Sequence, residues 1–204
     1  LKMISVAATG TDNVDVAACA ERGIVVRNVK GYAEHSVPEH TFALVLALKR
    51  SLVAYANDTS AGRWQRSRQF CFLDHPIGDV HDLQLGLVGK GTIGRAVARL
   101  GEAFGMRVVF GRREDGAGEA GDLPWPEFLA TSDVISLHCP LTEATRDLIA
   151  WPEFQAMARR PLLINTARGG IVNEADLVRA LGAGLIAGAG FDVSAREPLP
   201  ADSP

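Results

Sequence analysis

The sequence predicts an α/β fold with a doubly wound parallel sheet. Apolar segments of strand length alternate with helical patterns from residue 83 onward, and each such strand is apolar on both faces. Ten of the 21 glycines cluster in or directly after apolar runs, at residues 86–94, 169–170 and 182–190. Strands of a parallel sheet are buried on both faces and turn sharply into the helices that cover them, which explains both features.

The first 32 residues predict a βαβ fragment that is too small to form a domain. We expect a strand at residues 3–7, a helix at residues 14–21 and a strand at residues 24–26. The helix is entered through Thr11 or Asp12 and is stopped by Gly23. The fragment looks like the end of a unit whose front is missing from the sequence.

A long helix is expected next, at about residues 36–55. Ser36 and Glu39 fit a capping box, in which each side chain bonds the backbone N–H of the other residue. Pro38 is tolerated in a first helical turn. Apolar residues on nearly every side of this helix predict that it is buried, whereas residues 57–82 are expected to be irregular.

The rest of the pattern is regular. We expect strands at residues 83–88, 106–110, 134–137, 161–164 and 185–192 and helices at residues 93–104, 125–130, 143–149, 152–157 and 173–181. Asn173 is expected to cap the last of these helices, because its side chain can accept a hydrogen bond from an N–H of the first turn.

Composition and charge exclude several classes of protein. A net charge of −3 gives no electrostatic argument for a nucleic-acid partner. The longest apolar run, at residues 42–48, is too short to cross a membrane. Cys19, Cys71 and Cys139 are odd in number and scattered, so we expect reduced thiols and a cytoplasmic protein. No metal site is expected, because the histidines and cysteines lack metal-ligand spacing.

The sequence GKGTIG at residues 89–94 follows an apolar strand and opens an amphipathic helix. Gly89 permits the tight turn, Gly91 lets a pyrophosphate approach the backbone, and Gly94 lets the helix pack on the strand. The free N–H groups at the start of the helix can bind phosphates. The motif therefore predicts a dinucleotide site, and a tight turn without a ligand is the alternative.

The next strand is followed by Arg112 and Arg113. A dinucleotide fold usually has an acidic residue at this point, which holds the ribose hydroxyls. Guanidinium groups pair with a 2′-phosphate, whereas a carboxylate repels it. We therefore favour NADP over NAD. In the alternative, the arginines cap a solvated turn and Glu114 or Asp115 serves NAD.

Further polar residues follow buried strands, where ligands of open α/β sheets bind. Arg168, in the NTARGG segment, can fork onto a carboxylate, and a structural pairing with a nearby acid is the alternative. Glu197 can orient and charge-tune a histidine, although by itself it resembles a surface carboxylate. Cys139 and Pro140 are expected to line the cofactor groove through backbone and bulk, and a nucleophilic role for Cys139 is disfavoured.

Together these motifs resemble the D-isomer-specific 2-hydroxyacid dehydrogenases over essentially the whole chain. The matching segments are residues 8–15, 36–43, 89–94, 138–142, 165–170 and 188–198. The segment 62–77 resembles most the glycerate dehydrogenase or hydroxypyruvate reductase branch. The resemblance implies a Rossmann-like fold with the remnant of a second, flavodoxin-like domain.

The resemblance also implies a division into domains. Residues 1–32 would be the C-terminal remnant of the substrate-binding domain, and residues 33–204 the nucleotide-binding domain. Within the second part, the interdomain helix would occupy about residues 36–55 and the Rossmann core about residues 83–193.

Roles for individual residues follow from the same resemblance. Arg168 would grip the substrate carboxylate and polarise its 2-keto group, and Glu197 would keep the catalytic histidine protonated for reduction. Thr9 and Gly10 would bind the carboxylate through backbone amides, and Asp192 would bond the nicotinamide carboxamide. The residues expected to bind the cofactor are Gly89, Gly91, Thr92, Ile93, Gly94, Arg112, Arg113, Cys139, Pro140, Thr166, Ala167 and Asp192.

The implied activity is hydride transfer between NAD(P) and a small D-2-hydroxy acid or 2-keto acid, with glycerate and hydroxypyruvate, or glyoxylate, as substrates. The family's catalytic histidine lies beyond the Glu-Pro motif, whereas the last histidine here is His138 and the chain stops at Pro204. We therefore expect a truncated chain that by itself turns over slowly or not at all.

Other functions are weighed against this one. A nucleotide-sensing corepressor needs basic and partner-groove signals that the sequence lacks, and phosphoglycerate dehydrogenase would want cations near residues 9–12, which have none. Formate dehydrogenase is a further alternative. A homodimer is expected, because Trp64, Phe70 and Phe72 suit an interface, while an intramolecular clamp would use the same residues.

Overall fold

The computed structural model describes residues 1–11, 13–112, 119 and 121–203. The strands in these residues are β1 (Met3–Val6), β2 (Val25–Asn28), β3 (Gln84–Val88), β4 (Arg107–Arg112), β5 (Leu123–Pro124), β6 (Val134–Leu137), β7 (Leu162–Asn165) and β8 (Gly188–Phe191). The helices are α1 (Val16–Glu21), α2 (Ala33–Lys49), α3 (Leu52–Ser60), α4 (Arg63–Ser67), α5 (Thr92–Ala103), α6 (Trp125–Thr131), α7 (Trp151–Ala156) and α8 (Glu174–Gly182). None of the helices within these residues is long and apolar enough to cross a membrane.

Six strands form one parallel sheet in the order β5-β4-β3-β6-β7-β8. The chain runs from β3 to one edge, returns to the centre and then runs from β6 to the other edge. The central strands β3, β6 and β7 are buried along their whole length. The predicted doubly wound, Rossmann-like α/β fold is therefore confirmed, and its switch point lies between β3 and β6.

Neighbouring side chains of a strand enter different cores, because the pleat points them to opposite faces. Leu85 of β3 packs in one cluster with Phe42 of α2 and Val97 of α5. Val88 of the same strand belongs to the other cluster, with Phe128 of α6. Helices thus cover both faces of the sheet, and the loops at its carboxyl edge lie between the two layers.

The first part of the chain forms a separate parallel pair, in which β1 lies beside β2 and α1 connects them. Its buried apolar side chains, among the described residues 1–32, are Val6 and Cys19. The βαβ fragment is present as predicted. The division into domains at residue 32 stays a prediction.

The start of α1 differs from the prediction. The helix begins at Val16, and its cap is Asp15, whose Oδ1 accepts a hydrogen bond from the N–H of Ala18 at 2.8 Å. The expectation that Thr11 enters the helix is therefore wrong, since its carbonyl instead accepts the Val14 N–H in a preceding turn. Asp12, the other expected entry, lies outside the described residues.

The long helix also differs at both ends. It begins at Ala33, so that Ser36 lies inside it and the predicted capping box is wrong. Pro38 removes the bond that its N–H would donate four residues back. The helix stops at Lys49 because Ser51 adopts a left-handed conformation, with φ at 50°. Its Oγ donates to the carbonyl of Pro76 at 2.6 Å, which holds this break in place.

Two further segments differ from the prediction. Residues 57–82 were expected to be irregular, but α3 extends to Ser60 and α4 follows it. The helix expected at residues 143–149 is a run of turns, because the Thr145 hydroxyl donates to the carbonyl of Pro140 at 2.6 Å and accepts the N–H of Thr142 at 2.7 Å. A side chain that satisfies nearby backbone groups competes with helix formation.

Candidate functional site

The glycine loop joins β3 to α5 at the carboxyl edge of the sheet. Gly89 has φ at 104°, and a Cβ at this position would lie 2.5 Å from the carbonyl oxygen of His138. A Cβ on Gly94 would overlap the carbonyl of Gly89. Around Gly91, in contrast, a Cβ would meet no atom within 4 Å. Two glycines are therefore required by the packing of the loop, and the third keeps a space open at its surface.

The N-terminus of α5 faces the same space. Gly91 is its N-cap, and no acidic residue occupies the first turn. The first N–H groups of a helix, here those of Thr92, Ile93 and Gly94, have no partner within the helix, and the helix dipole adds positive potential there. An open glycine beside such donors fits a diphosphate, so these residues suit the dinucleotide that the sequence predicts.

Arg112 is the last residue of β4 and is exposed. Arg113, the second arginine expected at the adenosine end, lies outside the described residues. Beside this strand end, the Nζ of Lys90 lies 2.8 Å from Oδ1 of Asp122 and 2.8 Å from Oε2 of Glu119. Both positive and negative side chains therefore lie at the end of β4, and the arginines are not its only charged groups.

In this cluster, Lys90 and Asp122 each stabilise the charged form of the other. The hydrogen bonds that Lys90 donates to Asp122, and then to Glu119, raise the pKa of Lys90. Burial by itself would raise the pKa of Asp122, but the N–H of Glu119 and the ammonium of Lys90 outweigh it and hold that pKa below its usual value. Lys90 and Asp122 are therefore an ion pair at neutral pH.

The loop after β6 closes one side of the glycine loop. The N–H of His138 donates to the carbonyl of Val88 at 2.7 Å, and its Nε2 lies 2.9 Å from Oγ of Ser136. Burial lowers the pKa of His138 to about 4, so the imidazole is neutral at pH 7. Cys139 is half-buried against the core, and Pro140 is exposed. This segment therefore lies beside the glycine loop, and its role as a wall of the cofactor groove stays a prediction.

The loop after β7 carries Arg168. The buried Asn165 shapes it: its Oδ1 accepts the N–H of Ala167 at 3.1 Å, and its Nδ2 donates to the carbonyl of Arg168 at 2.9 Å. The guanidinium of Arg168 donates to the carbonyl of Ala167 at 2.7 Å. Thr166 Oγ1 lies 3.0 Å from Oγ1 of Thr41 in α2, and both residues are buried. Hydrogen bonds within the loop, and one to α2, therefore fix the loop that carries Arg168.

The loop after β8 lies against the loop after β7. The N–H of Asp192 donates to the carbonyl of Asn165 at 3.1 Å, and Oδ1 of Asp192 lies 3.7 Å from Nε2 of His40. A Cβ on Gly169 would overlap the carbonyl of Ser194, which shows how closely the two loops approach. The structure thus brings the expected Asp192 and the Arg168 loop together.

Glu197 lies further along this loop and is exposed. Its Oε1 accepts the N–H of Ser194 at 3.1 Å. The same loop, with Asp192 and Phe191, forms one side of a cavity of about 430 Å³ whose other side is α8. The carboxylate of Glu197 therefore lies beside this cavity, close to Asp192.

Thr9 and Gly10 follow β1 and belong to the first part of the chain. The hydroxyl of Thr9 donates to the carbonyl of Val29 at 3.0 Å, and its own carbonyl accepts the Nδ2 of Asn28 at 2.6 Å. These bonds fix the loop after β1 against the end of β2. No group of three or more histidine, cysteine or acidic side chains that could hold a metal occurs among the described residues.

Sequence reasoning missed several residues that shape the site. Lys90 was read only as part of the glycine motif, and Asp122 was not considered. Thr41 and His40 lie in α2, where the apolar pattern drew attention to burial, yet they contact the loops after β7 and β8. Asn165 carried a usable signal, because an asparagine at a strand end often bonds backbone groups of the next turn.

Comparison with known proteins agrees with this geometry. The family model described as D-isomer specific 2-hydroxyacid dehydrogenase, NAD binding domain, matches residues 42–204. The chain is 48% identical to a glycerate dehydrogenase of Methylorubrum extorquens, covering 97% of the chain and 62% of that protein. It is 39% identical to a glyoxylate reductase of Korarchaeum cryptofilum, covering 100% of the chain and 62% of that protein.

A solved structure is similar over nearly the same range. The crystal structure of D-lactate dehydrogenase from Aquifex aeolicus, complexed with NAD and lactic acid, superposes with a TM-score of 0.82 at 36% identity. The similarity covers 97% of the chain and 59% of that protein. The chain therefore spans less than two thirds of the length of each of these relatives.

Proposed function

Since the chain belongs to the family of D-isomer-specific 2-hydroxyacid dehydrogenases, we propose that it is the nucleotide-binding part of an oxidoreductase that transfers a hydride between a nicotinamide cofactor and a small D-2-hydroxy acid or 2-keto acid. One observation carries this proposal. Three loops lie at the carboxyl ends of the parallel strands, beside the switch point of the sheet: the glycine loop, the Arg168 loop and the Asp192 loop.

The cofactor half of the site is formed by backbone groups. The N–H groups of Thr92 and Ile93 bind the diphosphate beside Gly91. Asp192 accepts from the nicotinamide carboxamide, and Thr166 and Ala167 lie next to it in the loop after β7. When bound, the nicotinamide supplies or accepts the hydride.

The substrate half depends on charge. Arg168 forks onto the substrate carboxylate and stabilises negative charge that grows on the keto oxygen. The backbone amides of Thr9 and Gly10 hold the carboxylate from the other side. In the whole enzyme, Glu197 would orient the histidine that the family resemblance places beyond the Glu-Pro motif, and would keep it protonated, because a neighbouring carboxylate favours the imidazolium form. That histidine would then donate its proton to the keto oxygen during reduction.

The cofactor that we favour is NADP. Arg112 lies at the end of β4, where the ribose of a dinucleotide is held in this fold. A guanidinium pairs with a 2′-phosphate through two parallel hydrogen bonds. Arg113 follows it directly in the sequence.

Glycerate and hydroxypyruvate, or glyoxylate, are the substrates that we favour. The names of the similar proteins support small, unphosphorylated 2-keto acids. A substrate panel that includes phosphohydroxypyruvate and formate separates this activity from phosphoglycerate and formate dehydrogenase. We also place the protein in the cytoplasm, since its three cysteines are odd in number and scattered.

Arg168→Lys tests the proposed substrate site. We expect the chain to bind NADH or NADPH. Oxalate, a dicarboxylate that mimics a small 2-keto acid, should then bind to that complex. In the variant, oxalate affinity should fall by at least about tenfold, because lysine cannot fork onto a carboxylate. The affinity of the variant for NADH or NADPH should be unchanged. Arg99→Lys, a control at an exposed position on α5, should change neither the oxalate affinity nor the nucleotide affinity.

Two results would contradict the proposal. If the folded chain bound neither NADH nor NADPH in titration calorimetry, the cofactor assignment would be wrong. If oxalate bound Arg168→Lys as tightly as the native chain, the arginine would not hold the substrate carboxylate.

We further propose a homodimer. Phe70 is 91% exposed and Trp64 is 50% exposed, and Leu73 nearby is 73% exposed. Large apolar side chains clustered at a surface are typical of an interface. Sedimentation equilibrium should give about twice the chain mass at high concentration, and Phe70→Ser should lower that mass. A monomer at all concentrations would contradict the dimer.

A further inference from the structure

Lys90 stands between two glycines of the loop, yet its side chain leaves that loop. Its Nζ lies 2.8 Å from Asp122 and 2.8 Å from Glu119, in the segment that precedes β5. The same ammonium lies 4.9 Å from the centre of the Phe110 ring in β4. Since Phe110 precedes Arg112 by two positions, the ammonium lies over the carboxyl end of β4, which is the expected adenosine end of the site.

The two carboxylates that hold Lys90 differ in how firmly they are fixed. The side chain of Asp122 is 6% exposed, and its second oxygen accepts the N–H of Glu119 at 2.8 Å. The side chain of Glu119 is 60% exposed and also lies 3.5 Å from Arg95. A surface ion pair contributes little free energy. Glu119 is therefore the partner that an incoming anion can replace, and Asp122 is the one that stays.

A phosphate and a hydroxyl act differently on such a cluster. A phosphate monoester carries a charge of about −1.5 to −2 at pH 7 and three acceptor oxygens. It can take the place of Glu119 on Lys90 without loss of charge pairing, whereas a ribose hydroxyl cannot compete with a carboxylate for an ammonium. The cluster therefore responds to the one group in which NADPH differs from NADH.

We propose that Lys90 determines cofactor specificity: Glu119 stays on Lys90 when the adenosine ribose of the cofactor carries a 2′-hydroxyl, and a 2′-phosphate takes the place of Glu119 when the ribose carries that group. This inference rests on the proposed nicotinamide site. It adds a cation of the glycine loop to Arg112 at the end of β4. It also gives Glu119 a role, since this carboxylate weakens the binding of NADPH by occupying the cation.

The test compares NADH with NADPH, and AMP with 2′,5′-ADP, in titration calorimetry on the 204-residue chain. Lys90→Met should weaken NADPH and 2′,5′-ADP by at least about tenfold and NADH and AMP by less than about threefold. Glu119→Gln should tighten the phosphorylated pair by about threefold or more. Lys90→Arg should restore most of the NADPH affinity, and Arg99→Gln, an exposed cation on α5, should leave the ratios unchanged.

Each other result overturns the inference. If Lys90→Met weakened all four ligands equally, the lysine would only shape the glycine loop. If Lys90→Met lowers the melting temperature, Glu119→Gln gives an independent test, because Glu119 is at the surface. An unchanged ratio of NADPH to NADH affinity in Glu119→Gln would exclude the replacement of Glu119 by a 2′-phosphate. If the native chain bound no nicotinamide nucleotide at all, the proposed function would fail together with the inference.

Discussion

Each glycine of the loop after β3 meets a different physical requirement. Gly89 adopts a positive φ, and Gly94 leaves no room for a side chain against the carbonyl of Gly89. Gly91 has an ordinary φ of −72° and open space around it. The folded chain alone therefore does not require glycine at position 91, whereas a ligand that touches the backbone there does.

Gly91→Val separates folding from binding at this position. The added side chain enters open space, so the melting temperature should change by less than about 2 °C. The same side chain would occupy the place of the diphosphate, and NADH or NADPH affinity should fall by at least about tenfold. Calorimetry and thermal unfolding measure the two effects on one sample.

Gly182→Val is the matched control, because this glycine also has no atom within 4 Å of a Cβ but lies at the end of α8. Its nucleotide affinity should equal that of the native chain. Unchanged affinity in Gly91→Val would show that no ligand approaches the loop at this point.

At the scale of elements, α2 connects the two loops at the nicotinamide end. Thr41 has one hydroxyl proton, and the carbonyl of Val37, 2.8 Å away, can only accept it. Thr41 Oγ1 must then accept from Thr166, at 3.0 Å, so the hydroxyl of Thr166 points toward α2. The two lone pairs of Thr166 Oγ1 are then left to accept hydrogen bonds from other groups.

Thr41→Val tests this connection. Valine fills the same volume but leaves the buried hydroxyl of Thr166 without its acceptor, at a cost of about 1–3 kcal/mol. Urea unfolding should show a lower free energy of unfolding by that amount. Thr41→Ser, which keeps the hydroxyl, should lose less than half as much, and equal losses in both variants would refute the hydrogen-bond argument.

Much of this element order follows from local sequence. Most strands and helices after residue 83 were predicted to within a few residues, because apolar periodicity and glycine turns are local signals. The exceptions are the helix expected at residues 143–149, which is a run of turns, and β5, which was not predicted. The break between α2 and α3 was not predictable, since Ser51 is held by the carbonyl of Pro76, 25 positions later. Thr41 was missed as a site residue for the same reason, because its partner Thr166 lies 125 positions away.

At the scale of the whole molecule, one partly buried histidine couples stability to pH. The pKa of His138 falls from 6.5 to about 4 on burial. Between these values the unfolded chain binds a proton that the native chain does not bind. The contribution of His138 to stability is therefore complete above pH 6.5 and is lost as the pH falls toward 4.

Urea unfolding at about pH 7 and about pH 5 measures this loss. The free energy of unfolding should fall by up to about 1.4 kcal/mol per pH unit through His138. His138→Gln, which keeps a polar group beside Ser136, should remove that part of the pH dependence. His35→Gln, at an exposed position of α2, should retain it. An identical pH dependence in native chain and His138→Gln would contradict the burial of a neutral imidazole.

The most direct measurement is a crystal structure of the chain soaked with NADPH or NADH. We predict diphosphate oxygens within about 3 Å of the N–H groups at the start of α5, an adenosine end beside Lys90 and Arg112, and a nicotinamide ring next to the loop that carries Arg168. A crevice closed by the protein's own side chains, or a nucleotide bound at another face of the sheet, would contradict it.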